Sequence, residues 1–168
     1  MKSYGWEMEL SWRDRINEFN YGVRFTLADG QREVTKYPNE SGDINTWYAG
    51  KLDGTIWGYT TVGIAQTQEE MDAHLAKNKP NWGSKWGAGD VMYADLNGDG
   101  EVTSGSSTLG DHGDLTVIGN SYARYNFGLT LDGSWKGLDF SVFLQGVMKR
   151  DYWLSGPYFW GASGDEWQ

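Results

Sequence analysis

The clearest pattern along the chain is an alternation of apolar and polar side chains in four separate stretches. The apolar residues fall at every second position: Trp6, Met8, Leu10 and Trp12; Phe19, Tyr21, Val23, Phe25 and Leu27; Tyr125, Phe127, Leu129 and Leu131; and Leu138, Phe140, Val142 and Leu144. The residues between them are polar or small, with Phe143 as the exception. Because successive side chains of a strand point to opposite faces, each stretch predicts a β-strand with one apolar and one polar face.

The connections between these strands are short, then long, then short again. Residues 13–18 join the first two strands and residues 132–137 join the last two, whereas residues 29–121 separate the two pairs. A structureless connection of that length argues against a compact soluble domain. Tight turns on one side and long loops on the other are typical of a membrane β-barrel.

The long connection has some predicted order of its own. Thr67 and Glu70 have the spacing of a capping box, which predicts a short helix that continues to about Lys77. The run from Trp57 to Ile64 alternates and predicts an extended segment.

Composition and charge exclude several classes of function. The chain has 14 Lys and Arg against 23 Asp and Glu, so it lacks the basic stripe of a nucleic-acid-binding protein. Cysteine is absent, which excludes disulfide frameworks, thiolate zinc sites and cysteine nucleophiles. No hydrolase, metalloprotease or phosphate-loop motif is present, and the carboxylates of Glu7 and Glu9 are predicted to line a polar interior. The sequence therefore predicts a protein that is not an enzyme.

The sharpest local motif is the run from Asp95 to Glu101, Asp-Leu-Asn-Gly-Asp-Gly-Glu. Oxygen-bearing side chains at positions 1, 3 and 5, a glycine at 6 and a carbonyl at 7 form the first half of a calcium-binding loop. Position 12, where an EF-hand has a bidentate carboxylate, is Ser106, so Asp111 or Asp114 would have to close the cage. The alternative interpretation is a turn in which Asp and Asn side chains cap their own backbone.

The many aromatic residues, 10 Trp and 10 Tyr, have two interpretations. At strand ends, Trp6, Trp12 and Trp135 are predicted to form a girdle at the membrane–water interface. In loops, aromatic side chains either stack on sugars or pack a large loop. The loop residues in question are Trp47, Tyr48, Trp82, Trp86 and the segment from Trp153 to Trp160.

Several phrases occur in an order that resembles one known family. They are Gly5-Trp6-Glu7, Trp57-Gly58-Tyr59, the Asp95–Gly100 motif, Ile118-Gly119-Asn120, Lys136-Gly137-Leu138-Asp139 and Phe143-Leu144-Gln145-Gly146. This ordered set is similar to the C-terminal barrel region of SusC/RagA-like TonB-dependent receptors, and it covers the chain from Gly5 to about Gly161.

The resemblance implies a fold and a cellular role. The fold class would be all-β: an antiparallel segment of about four strands from a large transmembrane β-barrel, with a long extracellular loop that contains a short helix. Residues 5–28 and 122–149 would be strand hairpins, 29–121 the long loop with the calcium-loop-like motif, and 150–168 a truncated extracellular loop. Such receptors import glycans or peptides across the outer membrane of Bacteroidetes-type bacteria.

The resemblance also implies partners and ligands. The expected partners are a SusD-like surface lipoprotein, the TonB complex, the glycan or peptide substrate and outer-membrane lipid. Carried over to this sequence, the family's metal ligands are Asp95, Asn97, Asp99, Glu101 and Asp114, and the cofactor is a structural Ca²⁺. Plug domain, TonB-contact segment and signal peptide are missing, and the last residue is Gln168 where a final barrel strand ends in an aromatic residue. We therefore expect an internal fragment of a longer receptor.

A second function class remains open at this stage. A soluble, secreted, calcium-binding β-sandwich that binds carbohydrate would also show alternating strands, because one face of each sheet packs on a core. The loop asymmetry and the ordered motifs favour the transporter.

Overall fold

The chain is mostly β-structure with one short helix. A computed structural model describes residues 1–83 and 85–154. Within them the elements are β1 (Lys2–Ile16), β2 (Phe19–Glu33), β3 (Thr55–Tyr59), β4 (Thr61–Ile64), α1 (Gln68–Leu75), β5 (Lys79–Pro80), β6 (Val91–Tyr93), β7 (Glu101–Val102), β8 (Leu115–Asn120), β9 (Arg124–Trp135) and β10 (Leu138–Lys149). The chain divides into two compact units. The sheet unit comprises residues 1–33, 52–54 and 120 onward, and the loop unit comprises residues 34–51 and 55–119.

The sheet unit is built on a four-stranded antiparallel sheet in the order β1-β2-β9-β10. All four predicted strands and both hairpins are confirmed. Pairing of β2 with β9 joins the hairpins across the long connection, with Phe25 opposite Leu129. The prediction of an all-β, antiparallel arrangement is thus confirmed for this sheet.

The predicted lengths of the two turns were wrong. β1 continues to Ile16 and β9 to Trp135, so each turn contains only two residues, 17–18 and 136–137. Asp14 and Arg15 interrupt the apolar pattern, yet they still pair with Tyr21 and Asn20, because backbone pairing does not depend on side-chain polarity. Lys136 and Gly137 both have positive φ, +48° and +85°, as a two-residue type I′ hairpin turn requires.

The strand register brings the four alternating patterns onto common faces. On one face, residues directly across from each other form apolar rows: Met8, Leu27 and Phe127; Leu10, Phe25, Leu129 and Leu144; and Trp12, Val23, Leu131 and Val142. We call this the apolar face. The opposite, polar face has the rows Glu9, Thr26, Gly128 and Gln145, and Ser11, Arg24, Thr130 and Phe143.

The apolar face is exposed at many positions. Leu10 is 59% exposed, Trp12 is 61% exposed and Phe140 is 51% exposed. All six buried hydrophobic residues of the described chain lie in the loop unit: Val34, Ile44, Ala65, Met71, Met92 and Val102. The sheet therefore has no buried hydrophobic core of its own among the described residues.

Glycines in the sheet allow aromatic rings to lie flat on it. A Cβ at Gly146 would come within 2.8 Å of the Phe127 ring, and one at Gly133 would overlap the Phe140 ring. Rings on the apolar face thus cover the backbone of the neighbouring strand, which shields its peptide groups.

An ion pair ties β2 to β9 at the end of the sheet away from the turns. The guanidinium of Arg124 donates to both carboxylate oxygens of Asp29, and the backbone N–H of Tyr125 donates to the same carboxylate. The side chains are only 20% and 7% exposed. This pair closes the sheet where the long connection leaves and returns.

The loop unit contains short strand pairs and the helix. β3 pairs with β8, β4 with β6 and β5 with β7, the last pair being parallel. Ala65, Met71 and Met92 form a small core, against which Leu75 and Trp86 pack. The unit therefore has its own hydrophobic centre, and the predicted extended segment from Trp57 to Ile64 is confirmed as β3 and β4.

The predicted capping box of α1 is confirmed in its main feature. The Thr67 hydroxyl accepts from the Glu70 N–H at 3.2 Å, while the Glu70 carboxylate accepts from the Gln66 N–H at 2.7 Å. The helix ends at Leu75, two residues before the predicted Lys77. Nowhere in residues 1–83 and 85–154 does a helix have both the length and the apolar character needed to cross a membrane.

Candidate functional site

The calcium-loop-like motif forms a compact turn held by its own side chains. The Asp95 carboxylate accepts from the Gly98 N–H at 2.6 Å and from the Gly100 N–H at 2.7 Å. Asn97 Oδ1 accepts from the Asp99 N–H at 2.9 Å. These bonds, the one from Gly100 above all, hold the pKa of Asp95 below its usual range, because they favour the ionised carboxylate.

Glycine is required at two positions of this turn. Gly98 and Gly100 have φ values of +79° and +90°, which L-residues with a side chain rarely adopt. Asp99 accepts from the Glu101 N–H at 2.8 Å, and Glu101 then begins β7. The Asp and Asn side chains therefore cap their own backbone, which is the alternative interpretation of the motif, while calcium binding stays a prediction.

Asp114 supports the motif through hydrogen bonds to its backbone. It is fully buried, with 0% exposure. One oxygen accepts from the N–H groups of Leu96 and Asn97 at 2.6 and 3.3 Å, and the other accepts from the Thr103 N–H at 2.7 Å. The residue predicted to close the metal cage thus bonds to the backbone on both sides of the motif.

The five predicted metal ligands do not all converge. Asp95, Asn97 and Asp99 share one turn. Glu101 is exposed at the start of β7, and the Asp114 carboxylate accepts hydrogen bonds from backbone N–H groups. In the part of the chain that the structure describes, no group of three or more Asp, Glu or His side chains is arranged to hold a metal ion.

A second acidic turn was missed by the sequence reasoning. The Ser106 hydroxyl and N–H both donate to Asp111, at 2.7 and 3.0 Å. The hydroxyl is the main reason that the pKa of Asp111 lies below its usual range. The run of serine and threonine before Asp111 is typical of such turns and is the signal that could have predicted it.

Four loop aromatics form one cluster. Trp82 stacks on Tyr59 with ring centroids 4.5 Å apart and meets Tyr93 edge-on at 5.5 Å. Trp86 contacts Trp82 and Tyr93 edge-on and also packs on the small core. Burial in this cluster raises the pKa of Tyr59. For Trp82 and Trp86 the structure thus shows packing within the loop unit.

Trp47 and Tyr48 lie beside a lysine. Lys51 Nζ is 5.8 and 5.2 Å from the two ring centroids, and it donates to the carbonyl oxygens of Ile44 and Thr46 at 2.8 Å each. Burial lowers the pKa of Lys51. The rings of Trp47 and Tyr48, which the sequence analysis considered as sugar-stacking surfaces, therefore lie next to the ammonium group of Lys51.

The remaining candidates have separate positions. Trp153 is 54% exposed, whereas residues 155–168, which include Trp160, lie outside the described residues. His74 contacts the Tyr93 carbonyl oxygen through Nε2 at 2.8 Å, so it is packed. His112 lies against the Trp57 ring at 5.5 Å. Glu9 pairs with Arg24 across the polar face at 3.3 Å, with both side chains exposed.

Comparison of the chain with protein-family models and with curated proteins found no match.

Proposed function

We propose that this chain is part of the wall of an outer-membrane β-barrel that takes up nutrients, similar to the SusC/RagA-like TonB-dependent receptors, and that it works by transport without catalysis. The observation that supports this most is the register of the four-stranded sheet. It gathers the apolar residues of all four strands on one exposed face and the polar residues on the other.

The lengths of the strands support the same proposal. A tilted membrane-spanning strand needs about 9–11 residues, whereas strands of soluble proteins have most often about 5–6. Here β1 and β2 have 15 residues each, and β9 and β10 have 12 each. In this proposal the apolar face meets lipid and the polar face, including Glu9 and Arg24, lines the lumen.

The proposed transport role gives each part of the chain a task. The two-residue turns 17–18 and 136–137 would face the periplasm, and the loop unit would face the outside, where a glycan or peptide substrate and a SusD-like lipoprotein meet the receptor. The TonB complex would supply the energy through other parts of the receptor. Charged side chains on the polar face, such as Arg24 and Asp139, would keep the lumen wet for polar solutes.

Lipid exposure can be tested directly because the chain contains no cysteine, so one introduced cysteine is its only thiol. We would label Val142→Cys and Leu144→Cys on the apolar face, with Ser141→Cys and Gln145→Cys as matched controls on the polar face. In lipid vesicles, brominated lipid should quench the first pair and not the second. The soluble β-sandwich, whose apolar face would be the dry inner face of two packed sheets, predicts equal and weak quenching at all four positions and would replace our proposal.

We also propose that the turn at Asp95, Asn97 and Asp99 holds Ca²⁺ as a structural ion. Hard oxygens at these positions suit calcium, and each carboxylate or amide oxygen that accepts one N–H keeps a second lone pair. Bound calcium would supply positive charge that draws these oxygens together. Asp114 and Glu101 would support the turn from the backbone and from β7.

The calcium proposal has its own test. Alanine at Asp95 or Asp99 should loosen the turn, seen as faster hydrogen exchange of the Gly100 amide, and should weaken uptake without preventing membrane insertion. Asp90→Ala is a matched control, because Asp90 accepts a glycine N–H at 2.8 Å in another turn. Unchanged transport with normal exchange after chelation would refute a role for the ion.

A further inference from the structure

Asn97-Gly98 is the only Asn-Gly pair in the sequence. It lies at the centre of the turn formed by Asp95, Asn97 and Asp99, which we call the acidic turn. This dipeptide has a chemistry of its own. The glycine nitrogen can attack the asparagine side-chain carbonyl carbon, because glycine has no Cβ to hinder the approach. Ammonia leaves and a five-membered succinimide forms. Water then opens the ring at either carbonyl, which yields aspartate or isoaspartate, so the net change is water in and ammonia out.

The structure restrains both reacting groups. The N–H of Gly98, whose nitrogen would attack, donates a hydrogen bond to the Asp95 carboxylate at 2.6 Å. The amide under attack is held as well, because Asn97 Oδ1 accepts from the Asp99 N–H and Asn97 Nδ2 donates to the Asp99 carboxylate, each at 2.9 Å. The Asp95 carboxylate beside the Gly98 nitrogen also disfavours the negative charge that this nitrogen must develop to attack.

We propose that Asn97 is a deamidation site, and that the hydrogen bonds that Gly98 and Asn97 make with Asp95 and Asp99 control its rate. With the turn closed, Asn97 is preserved. When the turn opens, the pair reacts as it would in a flexible peptide. The product places a new negative charge beside two existing carboxylates, and the isoaspartate form adds one backbone carbon inside the turn. Neither product can restore the amide donor that Asn97 offers to Asp99.

Deamidation at this site is therefore an irreversible change that records how long the turn has been open. The hydrogen bonds of the turn alone would set this rate, whichever cellular function the sheet serves. None of these bonds involves a bound ion.

The experiment measures the rate at which Asn97 is converted to aspartate or isoaspartate, by peptide mapping with mass spectrometry. It compares this rate in the folded full-length protein with the rate in a synthetic peptide of residues 91–105. We expect the folded rate to be lower by about tenfold or more, which corresponds to an opening free energy of about 1.4 kcal/mol or more. Asp95→Ala should raise the folded rate most of the way to that of a peptide carrying the same substitution. Asp90→Ala should leave the folded rate unchanged.

An internal reference separates local opening from unfolding of the whole chain. Asn120 precedes Ser121 and its side chain is fixed elsewhere, to the Asp53 carbonyl and the Tyr122 N–H. Opening of the acidic turn alone should accelerate deamidation of Asn97 and leave the deamidation rate of Asn120 unchanged. If Asp95→Ala accelerates both, Asp95→Asn, which keeps an acceptor oxygen, is the second variant and should accelerate Asn97 alone. The proposal is overturned if folded wild-type protein reacts as fast as the peptide, or if neither Asp95 variant selectively changes the Asn97 rate.

Discussion

Replacing Leu129 by arginine tests our proposal that the apolar face of the four-stranded sheet meets lipid. Leu129 lies near the middle of β9, and its direct neighbours across the strands are Phe25 and Leu144, both apolar. Thr130 is the next residue and points to the other face, between Arg24 and Phe143. The two positions thus share depth and differ only in the face that they occupy.

The expected cost follows from this placement. A cation at mid-membrane on the lipid face of a barrel costs about 2–4 kcal/mol, which lowers the folding equilibrium constant by about 30-fold to about 900-fold. Thr130→Arg places its charge toward the polar face and costs at most about 1 kcal/mol, mostly from the like charge of Arg24 directly opposite. The two variants are therefore compared by their free energies of unfolding.

The assay is urea unfolding, in lipid vesicles, of the receptor barrel proposed above, with the same denaturant dependence for all variants. Leu129→Arg should unfold at clearly lower urea than Thr130→Arg. Equal costs at the two positions, or a larger cost at Thr130, would refute the facing assignment. In a water-exposed sheet Leu129→Arg should cost only about 0.2–1 kcal/mol, through the lost cross-strand pairing with Phe25 and Leu144.

Three further outcomes follow from the structure. Arg124→Ala leaves the Asp29 carboxylate with the Tyr125 N–H but without its cationic partner, so it should destabilise the β2–β9 junction by about 1–3 kcal/mol, measured by hydrogen exchange of those strands. Gly133→Val would overlap the Phe140 ring and should cost about 1–3 kcal/mol in denaturant unfolding, whereas Gly133→Val combined with Phe140→Ala should recover part of that loss. The pKa of Asp95 is lowered in the folded turn, so the stabilisation that its carboxylate gives is complete above the unfolded-state pKa of about 3.9. This stabilisation is lost as pH falls through the lower folded-state pKa. An Asp95→Asn variant whose amide exchange in the turn keeps the same pH dependence would contradict this.

The strands could be predicted from sequence because a period of two directly reports which side each residue faces. Leu10, Phe25, Leu129 and Leu144 were assigned to apolar sides one strand at a time, and the structure aligns them in one row. That alignment was beyond sequence reasoning, since the long connection leaves the β2–β9 register free. The turn lengths were mispredicted because Asp14 breaks the apolar pattern while its backbone still pairs.

The candidate site was predictable in part. The turn at Asp95 follows from residue types and spacing, because glycine at positions of positive φ and oxygen-bearing side chains have a local effect. The position of Asp114 did not follow, since residue type alone does not say whether a carboxylate faces an ion or the backbone N–H groups of Leu96 and Thr103. The contact of Trp82 with Tyr59 likewise depends on how the whole loop unit packs.

The two-way pairing of Thr103 with Asp114 closes the segment between them at its base, while its tip pairs with residues 42–44. The Thr103 N–H donates to the Asp114 carboxylate, and the Asp114 N–H donates back to the Thr103 carbonyl oxygen at 2.8 Å, which closes the base of the segment. At Gly110 nothing lies within 4 Å of the point where a side chain would begin. Doubling the length of a flexible closed loop costs only about 0.6 kcal/mol. A short epitope tag inserted at Gly110 should therefore be tolerated while the turn at Asp95 keeps its shape, and in the barrel proposed above it would allow antibody detection on living cells.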